Sequence, residues 1–118
     1  MTKKSENPQQ DYSEKLLEIR TSLATIDAAR CNKTLSEQER KILELSAAAL
    51  REAEMIEIHK AESHLLKQLE ESVNSLKQKS RDIRARVTRM NKTPQAIDAI
   101  ERALKIITEI LKAALLHI

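Results

Sequence analysis

Glycine, phenylalanine and tryptophan are absent from this sequence, and tyrosine, cysteine and proline occur once, once and twice. Strands and hairpins draw on aromatic and β-branched side chains and on glycine turns, so a sheet is excluded as the organising element. The lone cysteine, Cys31, has no partner for an intrachain disulfide, and the Lys- and Gln-rich start after Met1 has no apolar run of the signal-peptide kind. A cytoplasmic protein is expected. Long uncharged stretches are missing too: residues 96–118, the best candidate for a membrane span, carry Asp98, Glu101, Arg102, Lys105, Glu109 and Lys112. Charges recurring once per turn exclude a transmembrane helix.

What remains is a chain rich in Ala, Leu, Glu, Lys, Arg and Gln, the residues that lose least on entering a helix. The expected class is all-α, with one helical domain over residues 11–118, since 118 residues suit a single domain. Residues 1–10 are polar and without periodicity, and ordering them would bury nothing, so they are expected to form a disordered tail. A first helix capped by Asp11 or Ser13 runs to about Lys33 with Tyr12, Leu16, Ile19, Leu23 and Ile26 on one seam, and Asn32 to Thr34 break it. Ser36 and Glu39 form a capping box that opens the next helix.

From there no glycine or proline appears until Pro94. One half of this segment repeats through Ile42, Leu45, Ala49, Ala53 and Ile56, the other through Leu66, Leu69, Val73, Leu76, Ile83, Val87 and Met90, with Ser80 in one core slot. The two registers slip against each other around His59 to His64, as at a stutter or kink. A continuous helix of about 54 residues would reach roughly 80 Å at 1.5 Å per residue. Two architectures follow: an elongated bundle of short, long and short antiparallel helices, or an up-and-down four-helix bundle if the long helix breaks near His59–His64. The absence of any turn residue at the midpoint favours the elongated form, with His59 to His64 helical but out of phase. Thr93 before Pro94 starts the last helix, where Ile97, Ile100, Leu104, Ile107, Leu111, Ala114 and Ile118 keep heptad spacing and Ala103, Ile106 and Ile110 widen the apolar arc. This helix is expected to be the most buried.

Catalytic chemistry finds no foothold in these patterns. His59, His64 and His117 are the only histidines, no Glu-x-x-His occurs, and His59 and His64, five apart, point in different directions on a helix, so no metal or cofactor is expected. Cys31 has neither a cysteine partner nor a nearby histidine to activate it. Residues 16–27, Leu-Leu-Glu-Ile-Arg-Thr-Ser-Leu-Ala-Thr-Ile-Asp, resemble the opening helix of the all-α chorismate mutases. The resemblance covers this segment alone. The break at Asn32 to Thr34 and alanine at position 24, where an aspartate belongs, depart from the family's pattern, and the chain is read as non-enzymatic.

Charge is distributed unevenly. Residues 34–76 hold nine acidic and five basic side chains, a net of −4, whereas residues 77–92 hold seven basic and one acidic, a net of +6. The basic run is Lys77, Lys79, Arg81, Arg84, Arg86, Arg89 and Lys92, of which Lys77, Arg84, Lys79 and Arg86 flank the apolar seam on both sides, where coiled coils select partners. It is the candidate partner-binding surface. A helical protein–protein interaction module is expected: a homo-oligomeric scaffold, adaptor or small chaperone-like protein whose acidic and basic halves match in an antiparallel homodimer, with Leu43, Leu50 and Leu65 covered by the second copy. Binding to another helical protein is the related possibility. Nucleic-acid binding by the run 77–92 is the alternative, disfavoured because no aromatic side chain accompanies it for stacking.

Overall fold

The computed structural model describes residues 8–59, 66–89 and 94–115, which form four helices and no strand: α1 (Pro8–Arg30), α2 (Glu37–His59), α3 (Leu66–Val87) and α4 (Pro94–Leu115). The all-α bundle expected from composition is therefore present. Proline opens α1 and α4 alike, its fixed φ suiting the first helical position and its missing N–H being one that has no intrahelical partner anyway. Hence α1 begins at Pro8 rather than near Asp11, and residues 8–10, expected in a tail, are helical.

The turn between α1 and α2 is fixed by side chains. Asn32 Oδ1 accepts hydrogen bonds from the Thr34 amide at 2.9 Å and the Thr34 hydroxyl at 2.7 Å, an Asx turn that replaces the helical ladder. The capping box then forms as the sequence predicts: the Glu39 amide donates to Ser36 Oγ at 3.1 Å and the Ser36 amide donates to Glu39 Oε1 at 2.9 Å.

The continuous long helix does not exist. α2 ends at His59 and α3 starts at Leu66, and Lys79 Nζ on α3 lies 2.9 Å from Glu52 Oε1 on α2. In one straight helix those residues would stand about 40 Å apart. The longest dimension of the molecule is 45 Å, against the roughly 80 Å of the rod. The chain thus reverses between α2 and α3, giving the four-helix alternative; residues 60–65 themselves, where an out-of-phase helix was expected, lie outside the described residues. The physical reason is burial. A rod covers each half of the long segment with one helix, whereas reversal lets α2 touch all three others and puts Leu43 and Leu50 fully inside the chain. Those two leucines need no second copy to cover them.

Cross-helix contacts fix the directions. Arg20 meets Glu54 at 2.8 Å and Arg30 meets Glu44 at 3.8 Å, so α2 retreats as α1 advances. Lys15 meets Glu109 and Asn32 meets Gln95, placing α4 antiparallel to α1 in the same manner. Up-and-down order follows for the whole chain. α2 and α4, parallel to each other, pack across the short diagonal of the cross-section, while α1 and α3 scarcely meet, and the bundle is flattened to 45 × 35 × 17 Å.

Small residues make this short diagonal possible. Ala49 and Ala53 on one side of α2 and Ala96, Ala99 and Ala103 on one side of α4 are buried, and alanine permits close approach of helix axes. The seam of α4 therefore runs through Ala96, Ile100, Ala103, Ile107, Ile110 and Ala114, one residue out of phase with the expected line at alternate positions. Ile97, Leu104 and Leu111 are only half-buried, and they share a face with Thr108, which contacts α3. The most enclosed helix is α2, not α4: its buried set even includes Glu39, Ser46 and Glu57.

Candidate partner-binding surface

Lys77, Lys79, Arg81, Arg84 and Arg86 of the basic run lie on α3, one of the two helices at the ends of the long diagonal, and Arg89 follows its end. Its inner seam, Leu69, Val73, Leu76, Ser80 and Ile83, is buried as the spacing predicts, with serine occupying a core slot. The cations leave that seam on two sides. Lys79, half-buried, donates from Nζ to Glu52 of α2 at 2.9 Å and to Ser75 Oγ at 2.8 Å. Arg84 turns the other way: its Nη2 donates to Thr108 Oγ1 of α4 at 2.8 Å.

Helical spacing sorts the rest. Lys77, Arg81 and Arg84, separated by four and three residues, form a row along the α4 side. Arg86 shares the α2 side with Lys79, pairs with Asp82 at 3.5 Å, and together with Arg89, Gln38 and Ile42 lines a cleft of about 440 Å³ between α2 and α3. Arg81, Arg84, Arg86 and Arg89 are exposed. Lys77, Arg81 and Arg89 have no ion pair among the described residues. Lys92 lies outside them. The structure thus keeps most of the run on one helix but splits it into two edges.

The acidic complement is nearer than the sequence suggests. α2, with six acidic and three basic side chains not counting His59, lies antiparallel beside α3 in the same molecule. The polarity attributed to matching halves of two copies is partly satisfied within one chain, through Lys79 and Glu52.

Elsewhere the polar groups are structural. Cys31 is exposed at the end of α1, donates from Sγ to the Asp27 carbonyl at 3.5 Å, and shares a small hollow with Arg30, Arg40 and Glu44. His59 closes α2, whereas His64 and His117 lie outside the described residues. Among the described residues no group of three or more His, Cys, Asp or Glu side chains is placed to hold a metal ion, and no helix is long and apolar enough to cross a membrane. The Lys15 ammonium, partly buried between helices, loses some solvation, but its hydrogen bonds to Glu109 at 3.0 Å and Glu18 at 3.3 Å outweigh that loss and raise its pKa above the ordinary lysine value.

A second surface escapes the sequence reading. Between α1 and α4 lies a groove of about 500 Å³ floored by Ser22 and Ile106, with Leu17 exposed on its rim. Its signal is present in the sequence, as Leu17, Thr21, Ala24, Ala28 and Cys31 repeat every four and three residues, but the stronger seam on the opposite face of α1 hides it.

By fold the chain is an up-and-down four-helix bundle with a cationic outer helix. Comparison with known proteins adds no relative: no family model, no curated protein and no solved structure matches the chain significantly.

Proposed function

We propose that this protein is a non-enzymatic helical interaction module of the cytoplasm, a scaffold, adaptor or small chaperone-like protein that self-associates or binds another helical protein through an acidic surface. The observation that carries the proposal is the pair of exposed basic edges of α3, where Arg81, Arg84 and Arg86 project from a helix packed chiefly on α2 and α4, with Arg89 exposed in the turn that follows it. Exposed charges of one sign steer an acidic partner and set its orientation, while ion pairs at the rim add only about 0–1 kcal/mol each. The partner therefore needs apolar contacts as well, and the α2–α3 cleft offers a small one at exposed Ala85 beside Arg86 and Arg89.

An acidic protein fits this surface better than nucleic acid. α3 lies beside an acidic helix whose Glu52 pairs with Lys79, Asp82 pairs with Arg86 within the run, and no aromatic side chain accompanies the arginines. Phosphate tracking needs an extended positive footprint, which α2 interrupts. The test is fluorescence anisotropy with an acidic amphipathic helical peptide and with a mixed-sequence DNA duplex, each titrated against salt. Peptide binding is expected to be the tighter and to be lost when Arg81, Arg86 and Arg89 are changed together to Glu. Tighter duplex binding with a steep salt dependence would replace this proposal with the nucleic-acid alternative, and binding of neither probe would remove both.

A further inference from the structure

α1 presents uncharged residues on two opposite faces. Leu16, Ile19, Ser22, Ile26 and Ala29 are buried in the bundle, while Leu17, Thr21, Ala24, Ala28 and Cys31, spaced by four and three, are exposed. A helix with one partner layer needs a single apolar stripe, and a second stripe at heptad spacing is the pattern of a helix between two layers. Leu17 is the most exposed large apolar side chain among the described residues, at 66%.

The groove beside Leu17 has the chemistry to receive such a layer. Glu14 and Glu18 on α1 form one wall, and Arg102 and Lys105 on α4 form the other. No ion pair joins the walls among the described residues; Glu18 is paired with Lys15 instead. On the floor, next to Ile106, the Ser22 hydroxyl is buried and has no hydrogen-bond partner among the described residues. One wall is anionic, the other cationic, and the floor is largely apolar.

We propose that this groove is filled by a second copy of the chain, in a dimer whose two-fold axis runs along the groove. This inference rests on the reading of the protein as an interaction module and adds to it a second face, distinct from the basic edge of α3. Symmetry selects the arrangement. A two-fold along the groove preserves height and exchanges left for right, so α1 of each copy lies against α4 of the other. Since Lys15 stands opposite Glu109, Glu18 stands level with Ile106 and one residue from Lys105. In the dimer Glu18 then meets Lys105 of the second copy, twice, and Leu17 of each copy enters the groove of the other. All four neighbouring helices at the interface run antiparallel. The alternative axis, across the groove, would set α1 against α1 and bring Glu14 and Glu18 onto the same side of a like-charged helix.

Sedimentation equilibrium on the full chain tests this over roughly 5–500 µM, the range in which a small interface of this type exchanges. Wild type is expected to dimerise reversibly, and Leu17→Asp to weaken association at least tenfold with an unchanged melting curve, since Leu17 contributes little to the core. Two charge variants make the test decisive: Glu14→Lys with Glu18→Lys, and Arg102→Glu with Lys105→Glu. Each alone is expected to be monomeric, because both α1–α4 contacts become like-charged, and an equimolar mixture is expected to dimerise, because both contacts become complementary again. A monomeric wild type, a dimer indifferent to Leu17→Asp, or a mixture that stays monomeric overturns the proposal. Acidic-peptide binding measured on the same samples separates this failure from that of the α3 reading: peptide binding retained by a monomeric wild type leaves the α3 reading standing alone.

Discussion

The two diagonals of this bundle carry different duties. α2 and α4 meet across the short diagonal, touch every other helix and contribute most of the fully buried side chains, among them Leu43, Leu50, Ile56, Ile100 and Ile107. α1 and α3, at the ends of the long diagonal, each pack on the inner pair and turn an entire face outward. That outward face carries an uncharged stripe on α1 and is cationic on α3. Burial is concentrated in the inner pair, and the recognition we propose falls to the outer one, because a side chain cannot both fill the core and meet a partner.

The comparison breaks most plainly if the inner pair proves dispensable. Removing residues 94–118 deprives the other three helices of a shared neighbour, and the shortened chain is expected to lose its cooperative thermal transition. On a finer scale, Leu50→Ala is expected to cost about 2–5 kcal/mol, against a change within about 0.5 kcal/mol for Arg81→Ala. Urea unfolding of both variants measures the contrast. Equal losses would show that the arginine edge is structural.

A smaller effect sharpens the picture on α1. Ser22 occupies a seam position with its hydroxyl buried and unsatisfied among the described residues. Replacing it by alanine removes an unpaired polar group and adds a better helix former, so Ser22→Ala is expected to raise stability by about 1 kcal/mol. A loss on urea unfolding would mean that the hydroxyl is bonded in solution.

The smallest effect is a pH dependence. Lys15 joins α1 to α4 through Glu109, and its pKa is raised in the folded chain. A raised pKa means that the stabilisation is complete below the unfolded lysine value of about 10.4 and is lost as pH rises through the folded value. Chemical unfolding between neutral pH and the alkaline range is expected to show wild type converging on Lys15→Met as the ammonium deprotonates. A constant gap between the two across that range would assign the lysine's role to its aliphatic stem.

Much of this was legible residue by residue. The Ser36 and Glu39 capping box, the proline start of α4 and the inner seam of α3, including Ser80, lie where their spacing indicates. Each depends on contacts within one turn or on the period of one helix. The basic run was equally plain as a run, but not as two edges: spacing shows that Lys79 and Arg84 flank the seam, and only the neighbours show that one meets Glu52 and the other Thr108.

The sequence by itself therefore determined the helical class, the starts of α2 and α4 and the inward faces of α1 and α3, since those follow from local propensity and periodicity. Tertiary structure alone decided the reversal between α2 and α3, the shift of the α4 seam onto its alanines and the groove beside Leu17. Reversal is a competition between whole packings, decided by how much apolar surface three neighbours cover rather than by any turn residue. The α4 phase depends on how closely α2 approaches it, and the groove exists only because α1, having filled one face with the core, leaves a second stripe outside beside α4.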